Sequence, residues 1–234
     1  MNGTCYPRRF RQPYQDWMGN LPDNVRRDVH ACLFPRHYAA GEVVYRTGEE
    51  GDEMFQVLSG AVRIYALSEE GKELLYDLFP AGSWFGEGSL IDGEPRAVMA
   101  QAIGDVTLSV LSQAHFERLW ARYPEVSLAV ARMVAARVRK LFYLYEGVST
   151  AALSNRMAGR LCFLADAVGI EQMGGIHFDM RLTQEDIGSL VVGSRQSVNR
   201  ILKQWQCDGI IDISYGTVVI KNKLYLERLA EDRS

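Results

Sequence analysis

Ten of the chain's 21 glycines fall between Gly41 and Gly104, and this spacing constrains the fold more than any other feature of the sequence. The glycines separate short apolar stretches: Glu42-Val43-Val44-Tyr45, Met54-Phe55-Gln56-Val57-Leu58 and Val62-Arg63-Ile64-Tyr65-Ala66-Leu67. That pattern predicts short strands joined by tight turns, as in a sandwich or jelly roll. Glu69-Glu70-Gly71-Lys72 sits between two such stretches and reads as a hairpin turn. Near Pro124 the texture changes. From Val126 to Tyr145, Val126, Val130, Met133, Val134, Val138, Leu141 and Leu144 recur at steps of three and four, which predicts one long amphipathic helix. Its apolar positions are too many for a helix resting on one domain. Val130, Met133, Val134, Val138, Leu141 and Leu144 are therefore expected to form the coiled-coil-like seam of a homodimer. Helical segments follow around Leu153 to Val168 and Thr183 to Trp205, then two short strands flank a turn at Tyr215-Gly216.

With 234 residues and 47% hydrophobic content, the chain can bury about 70% of the surface its unfolded form exposes, enough for one large domain or two small ones. Cys5, Cys32, Cys162 and Cys207 lack any paired metal-type or redox-type spacing, so they read as buried or inert thiols in a reducing compartment. No basic region followed by an apolar run opens the sequence, and no stretch approaches the roughly 18 apolar residues of a membrane span. A cytoplasmic protein with no membrane partner is expected. The net charge of −3 argues against a chain that coats nucleic acid indiscriminately, so DNA binding would need a local basic patch.

Leu182 to Trp205 supplies such a patch. Thr183 with Asp186 three residues later resembles a capping-box helix start, and Ile187 and Leu190 give that helix an apolar edge. Gly193 offers the left-handed conformation of a sharp turn, and Ser194 can cap a second helix behind it. In that second helix Val198, Ile201, Leu202 and Trp205 share one face and must pack inward. The opposite face carries Arg195, Gln196, Asn199, Arg200 and Lys203 with no acidic residue, and Ser197 lies in the same first turns. Arg can bridge guanine O6 and N7, and Gln or Asn can pair with adenine N6 and N7, so the face suits the major groove of double-stranded DNA. Lys203 falls further along, where phosphates lie. The hairpin Ile210 to Ile220, followed by Lys221 and Lys223, reads as a wing whose lysines reach phosphate.

Thr183-Gln184-Glu185-Asp186-Ile187-Gly188 followed by Val192-Gly193-Ser194-Arg195-Gln196-Ser197-Val198-Asn199-Arg200-Ile201-Leu202-Lys203 resembles the winged helix of the cyclic-AMP receptor/FNR (Crp/Fnr) family of bacterial transcription regulators. By that resemblance Arg195, Gln196 and Arg200 match the base-reading positions. Gln196 stands where many members carry Glu, which shifts the expected preference from cytosine towards adenine. Upstream, Phe85-Gly86-Glu87-Gly88-Ser89-Leu90-Ile91-Asp92-Gly93-Glu94-Pro95-Arg96-Ala97 is similar to the phosphate-binding cassette of cyclic-nucleotide-binding domains. The resemblance implies that backbone N–H groups near Gly86 and the cation of Arg96 hold a cyclic phosphate, that Glu87 accepts from a ribose hydroxyl, and that Ala97 matches some nucleotide-binding members. Gly88 departs from the pattern by replacing an aliphatic residue. Tyr145 and Glu146 fall about where the family presents residues to the base; Tyr145 can stack there, whereas Glu146 can repel a phosphate or pair with Arg96. Three readings stand side by side: an effector site for cyclic AMP or cyclic GMP, a fold-maintaining Glu87 and Arg96 pair, and a site for some other small ligand.

The fold class implied is α+β: an arm at residues 1–20, a β-roll of jelly-roll type at 21–124, a dimerisation helix and hinge at 125–150, and a winged helix-turn-helix domain at 151–234. RNA polymerase is the partner that the family implies. An iron–sulfur sensor would need a closely spaced cysteine group that Cys5 and Cys32 cannot supply. Haem ligation remains open through His30, His37, His115 and His177. Two rivals come from other classes. A cupin-type enzyme needs converging histidines, and Tyr38 to Val110 contains none. A cyclic-nucleotide-binding regulatory module that controls a protein partner would not need the basic helix. No nucleophile elbow is present, so no enzymatic activity is expected.

Overall fold

The glycine-punctuated stretches form six strands: β1 (Phe34–Tyr38), β2 (Val43–Tyr45), β3 (Glu53–Leu67), β4 (Glu73–Pro80), β5 (Trp84–Phe85) and β6 (Met99–Ser112). The computed structural model describes residues 16–69, 71, 73–178, 184–214 and 217–231. The sheet runs β1-β6-β3-β4, with β2 also on β6 and β5 also on β3. β1, β2 and β3 are each antiparallel to β6. The two stretches around Met54–Leu58 and Val62–Leu67, expected as separate strands, merge into β3. Register shifts between Val57 and Ala61 accommodate the join. Gly60 makes it possible: its φ is +77°, and a Cβ there would lie 2.5 Å from Asp105 O. Part of the Glu69-Glu70-Gly71-Lys72 turn lies outside the described residues.

Two apolar clusters fill this part of the chain. One lies within the roll, where Phe55, Val57, Val62, Phe85, Leu108 and Val110 are closed over by Tyr38 and Tyr45. The other gathers Trp17 and Met18 of a one-turn helix (Trp17–Asn20), Val25 and Val29 of α1 (Asp23–His30), a short helix α2 (Glu87–Asp92) through Leu90, Phe116 and Leu119 of α3 (Gln113–Arg122), and Val126, Val130 and Met133 of α4 (Pro124–Thr150). It corrects two expected boundaries. Trp17 and Met18 are core residues and no part of a free arm: Trp17 packs its ring 5.2 Å from that of Trp84, whose Nε1 donates to Asp16 Oδ1 at 3.1 Å. The roll does not stop at residue 124, because its core needs the first three turns of α4.

The helix starts two residues before and ends five after the Val126 to Tyr145 stretch its periodicity predicts, and the expected seam divides. Val130 and Met133 are buried in their own chain, which removes them from any surface, and Val134 is half-buried. Val138, Leu141, Phe142 and Tyr145 are exposed, as is Leu128 nearer the start of the helix. The side chain of Leu144 lies outside what the structure describes.

The C-terminal part holds α5 (Leu153–Val168), β7 (Gly169–Gln172), β8 (Gly175–Phe178), α6 (Gln184–Val191), α7 (Arg195–Cys207), β9 (Ile211–Ser214), β10 (Thr217–Ile220) and α8 (Lys223–Glu231). Its sheet is antiparallel in the order β7-β8-β10-β9. By their contacts the described residues divide into two compact units, 16–66 with 78–139 and 67–77 with 140–231. In the second unit, Lys140 Nζ and Arg160 Nη2 meet the two oxygens of Asp77 at 2.6 and 2.8 Å, and both cations lie within 5 Å of the Phe163 ring centre. Cys32 and Cys162 are buried, whereas Cys207 is exposed.

Candidate functional site

The basic helix begins where a cap allows. Ser194 Oγ accepts from the Ser197 N–H at 3.2 Å, satisfying one of the donors that a helix start leaves open. Val198, Leu202 and Trp205 are buried and Ile201 half-buried, as the periodicity requires. Arg195, Gln196, Arg200 and Lys203 are exposed, with Ser197 and Asn199 half-buried on the same side. The sequence of α7 contains no Asp or Glu to neutralise them. Thr183 lies outside the described residues, so the expected capping box is not observed there, and so does the wing turn Tyr215-Gly216.

Two local expectations need correction. Gly193 does not take the left-handed conformation; Val192 does, at φ +51°. A β-branched residue in that region costs about 1–2 kcal/mol. Gly193 sits close to Leu153 instead: a Cβ would lie 2.8 Å from Leu153 Cδ1, so that side chain would have to shift. Lys221 is exposed, but Lys223 is paired with Asp166 and fastens α8 to α5. The sequence reading also passed over Arg156, whose Nε and Nη2 donate to the carbonyls of Val191 and Val192 at 3.1 and 3.3 Å while Nη1 donates to Ala151 O at 2.8 Å.

The second cluster surrounds a cavity of about 270 Å³ in the β-roll, lined among others by Tyr45, Phe85, Gly86, Glu87, Arg96, Ala97 and Arg137. Gly86 opens α2 in the left-handed region at φ +86°, and a Cβ there would meet Arg96 Nη1 at 3.0 Å. Arg96 is 5% exposed. It donates to Gly86 O at 2.6 Å and to Glu53 O, and its guanidinium carbon lies 4.4 Å from the Tyr45 ring centre. Burial draws the Arg96 pKa below the ordinary guanidinium value, against the opposing pull of Tyr45, Asp52, Glu53 and Glu49. Burial pushes the Tyr45 hydroxyl up to about 12, although Arg96 and Arg137 favour its anion.

Glu87 and Arg96 are not an ion pair. The partner of Glu87 is Arg137 of α4, which also donates to Trp84 O. Among the described residues, Glu87 Oε2 and Arg96 Nε are buried with no hydrogen-bond partner. Arg137 was missed, yet the sequence held a signal: it continues the inward stripe Val126, Val130, Met133 at the next helical step, where a cation has no apolar reason to be. Tyr145 and Glu146 do not line the cavity. Tyr145 is 75% exposed. None of the four histidines lines the cavity either.

A β-roll with a cavity lined by arginine, carboxylate and aromatic groups, joined in one chain to a winged helix with a basic outer face, has the build of a DNA-binding regulator. Comparison with known proteins agrees: a cyclic nucleotide-binding domain model matches residues 35–123, and a Crp-like helix-turn-helix model matches 155–229. A CRP-like cAMP-activated global transcriptional regulator of Mycobacterium tuberculosis is 30% identical over 198 residues, 85% of this chain and 88% of that protein. The cyclic AMP receptor protein of Thermus thermophilus is 29% identical, with 91% and 94% covered. The crystal structure of a CRP/FNR-family transcriptional regulator, also from Thermus thermophilus, superposes with a TM-score of 0.73 at 28% identity, covering 86% of this chain and 100% of that one. The chain belongs to the CRP/FNR family and is a DNA-binding transcription regulator of that type.

Proposed function

We propose that the chain acts as a homodimer that reads an inverted-repeat DNA site with α7, under the control of a cyclic nucleotide held in the β-roll cavity. The observation that carries the DNA half is the acid-free face of Arg195, Gln196, Arg200 and Lys203 on a chain of net charge −3. Arg195, Gln196 and Arg200 read base edges; Ser197, Asn199 and Lys203 complete the contact, with Lys203 on phosphate. The seam is the exposed stripe Val138, Leu141, Phe142 and Tyr145 with Val134, while Val130 and Met133 serve the roll's own core. Two symmetric α7 helices in successive major grooves require half-site centres about 34 Å apart. Selection from a random duplex library tests this, and recovery of no inverted repeat overturns it.

The effector half rests on the unpartnered Glu87 Oε2 and Arg96 Nε, a buried acceptor and a buried donor beside one cavity. Each costs about 1–3 kcal/mol unless a ligand pairs it, and a cyclic nucleotide brings both an anionic phosphate and a ribose hydroxyl. The names of the Mycobacterium tuberculosis and Thermus thermophilus relatives favour cyclic AMP. Calorimetry with cyclic AMP and cyclic GMP should show binding that Arg96→Ala abolishes. RNA polymerase is the partner through which the bound dimer acts, the location is the cytoplasm, and the chain performs no catalysis of its own.

A further inference from the structure

Three backbone carbonyls from two places in the chain converge on one guanidinium. Val191 ends α6, Val192 is the left-handed residue of the turn, and Ala151 is the first residue after α4; Arg156 donates to all three. Val192 is the only described residue other than glycine with a positive φ, so the turn depends on something that holds a valine where valine does not settle. The direction of a carbonyl follows from the backbone angles on either side of it. Donors fixed on two successive carbonyls therefore select this turn over its relaxed alternatives. Ser194, the cap of α7, follows two residues later, so the same angles set the direction in which α7 leaves. Gly193 adds a second tie, because its lack of a Cβ lets the turn lie against Leu153, the first residue of α5.

We propose that Arg156 is a positioning residue for sequence reading: it locks the turn that aims α7 and ties that turn to the exit of α4, so that movement of the exit is transmitted to the reader. This rests on α7 being the reading helix. Only an arginine suits the role. Its planar fork spans three acceptors at once, whereas a lysine offers a single point charge on a flexible stem. A lysine keeps the charge and loses the geometry.

The experiment measures affinity of the full chain for the inverted repeat recovered by selection and for a random duplex of equal length. Arg156→Ala and Arg156→Lys should each weaken the selected site by about tenfold, the scale at which residues away from a ligand tune its binding. The random duplex should change by less than about twofold, because phosphate contacts do not need the aim of the helix. Val192→Gly in the Arg156→Ala background should recover most of the loss, since glycine enters the left-handed region unaided. A lysine variant that binds like the parent would assign the effect to charge and overturn the proposal. Equal losses on both duplexes, or no recovery with Val192→Gly, would overturn it too. The double variant Arg195→Ala, Arg200→Ala separates the two levels: if it binds unchanged, α7 is not the reader and both readings fall, whereas its failure to bind alongside intact Arg156 variants sinks this inference alone.

Discussion

The arginines of α7 and those of the β-roll cavity are chemically the same and physically opposite. Arg195 and Arg200 stand in solvent on a helix without an acidic residue. Arg96 is buried and Arg137 half-buried, and each has a protein partner far along the chain: Glu53 O is 43 residues from Arg96, and Glu87 is 50 from Arg137. An exposed cation keeps its water until a phosphate or a base edge replaces it, so binding gains charge-assisted contacts at little internal cost. A buried cation is already compensated, and an entering ligand must share or displace what holds it. Under the proposed function, the helix meets a large partner at the surface and the cavity a small one that rearranges interior charge.

The contrast is broken most severely from the inside. Arg137→Met leaves the Glu87 carboxylate, 8% exposed at its side chain, without its cation and should cost about 3 kcal/mol of unfolding free energy in urea. Adding Glu87→Gln to that variant should return most of the loss. Alkaline unfolding probes the same interior. The folded pKa of Tyr45 lies near 12, above the ordinary value of 10, so its contribution to stability is complete below about pH 10 and is lost as pH rises through 12. At about 1.4 kcal/mol per pKa unit this amounts to roughly 2–3 kcal/mol, and Tyr45→Phe should remove that part of the pH slope.

For the basic residues of the surface, the effects move to DNA and leave stability alone. Arg195→Ala or Arg200→Ala should cost about 1–3 kcal/mol on the selected site and relax preference at one base pair of each half-site, with the melting temperature unchanged. Lys203→Ala should instead weaken specific and random DNA alike and lower the salt slope by about one per subunit. Smallest of all, Ser194→Ala should destabilise the C-terminal unit by about 1 kcal/mol through loss of the cap. If Arg195→Ala destabilised the fold as much as Arg137→Met, the two regions would not differ as described.

This contrast also explains what could be read from the sequence. Cap, turn, apolar stripe and basic face of α7 lie within about 25 residues, and helical geometry alone relates them. The cassette was found as a contiguous run, yet its charge partner was not, because Glu87 and Arg137 meet only once α4 has packed on the roll. Tertiary packing likewise claimed Trp17 from the expected arm and Val130 and Met133 from the expected seam. β7 and β8 escaped notice because Ile170-Glu171-Gln172 and Ile176-His177-Phe178 are too short to show a period. At the turn, Gly193 was assigned the wrong reason for being glycine: steric room, supplied by contact with Leu153, has no local signature.

The burial of Val126, Val130 and Met133 changes how the rest of α4 comes to be a helix. Starting a helix is the unfavourable step, with a nucleation constant of about 10⁻³, whereas lengthening one adds a hydrogen bond for each residue fixed. The roll's core supplies the nucleus, and the turns carrying Leu141, Phe142 and Tyr145 grow from it. That exposed face is therefore shaped within a single chain, ahead of any encounter. In the proposed homodimer, a second chain docks on a preformed rod, and the concentration at which the two associate reports the quality of the contact rather than the work of ordering a coil.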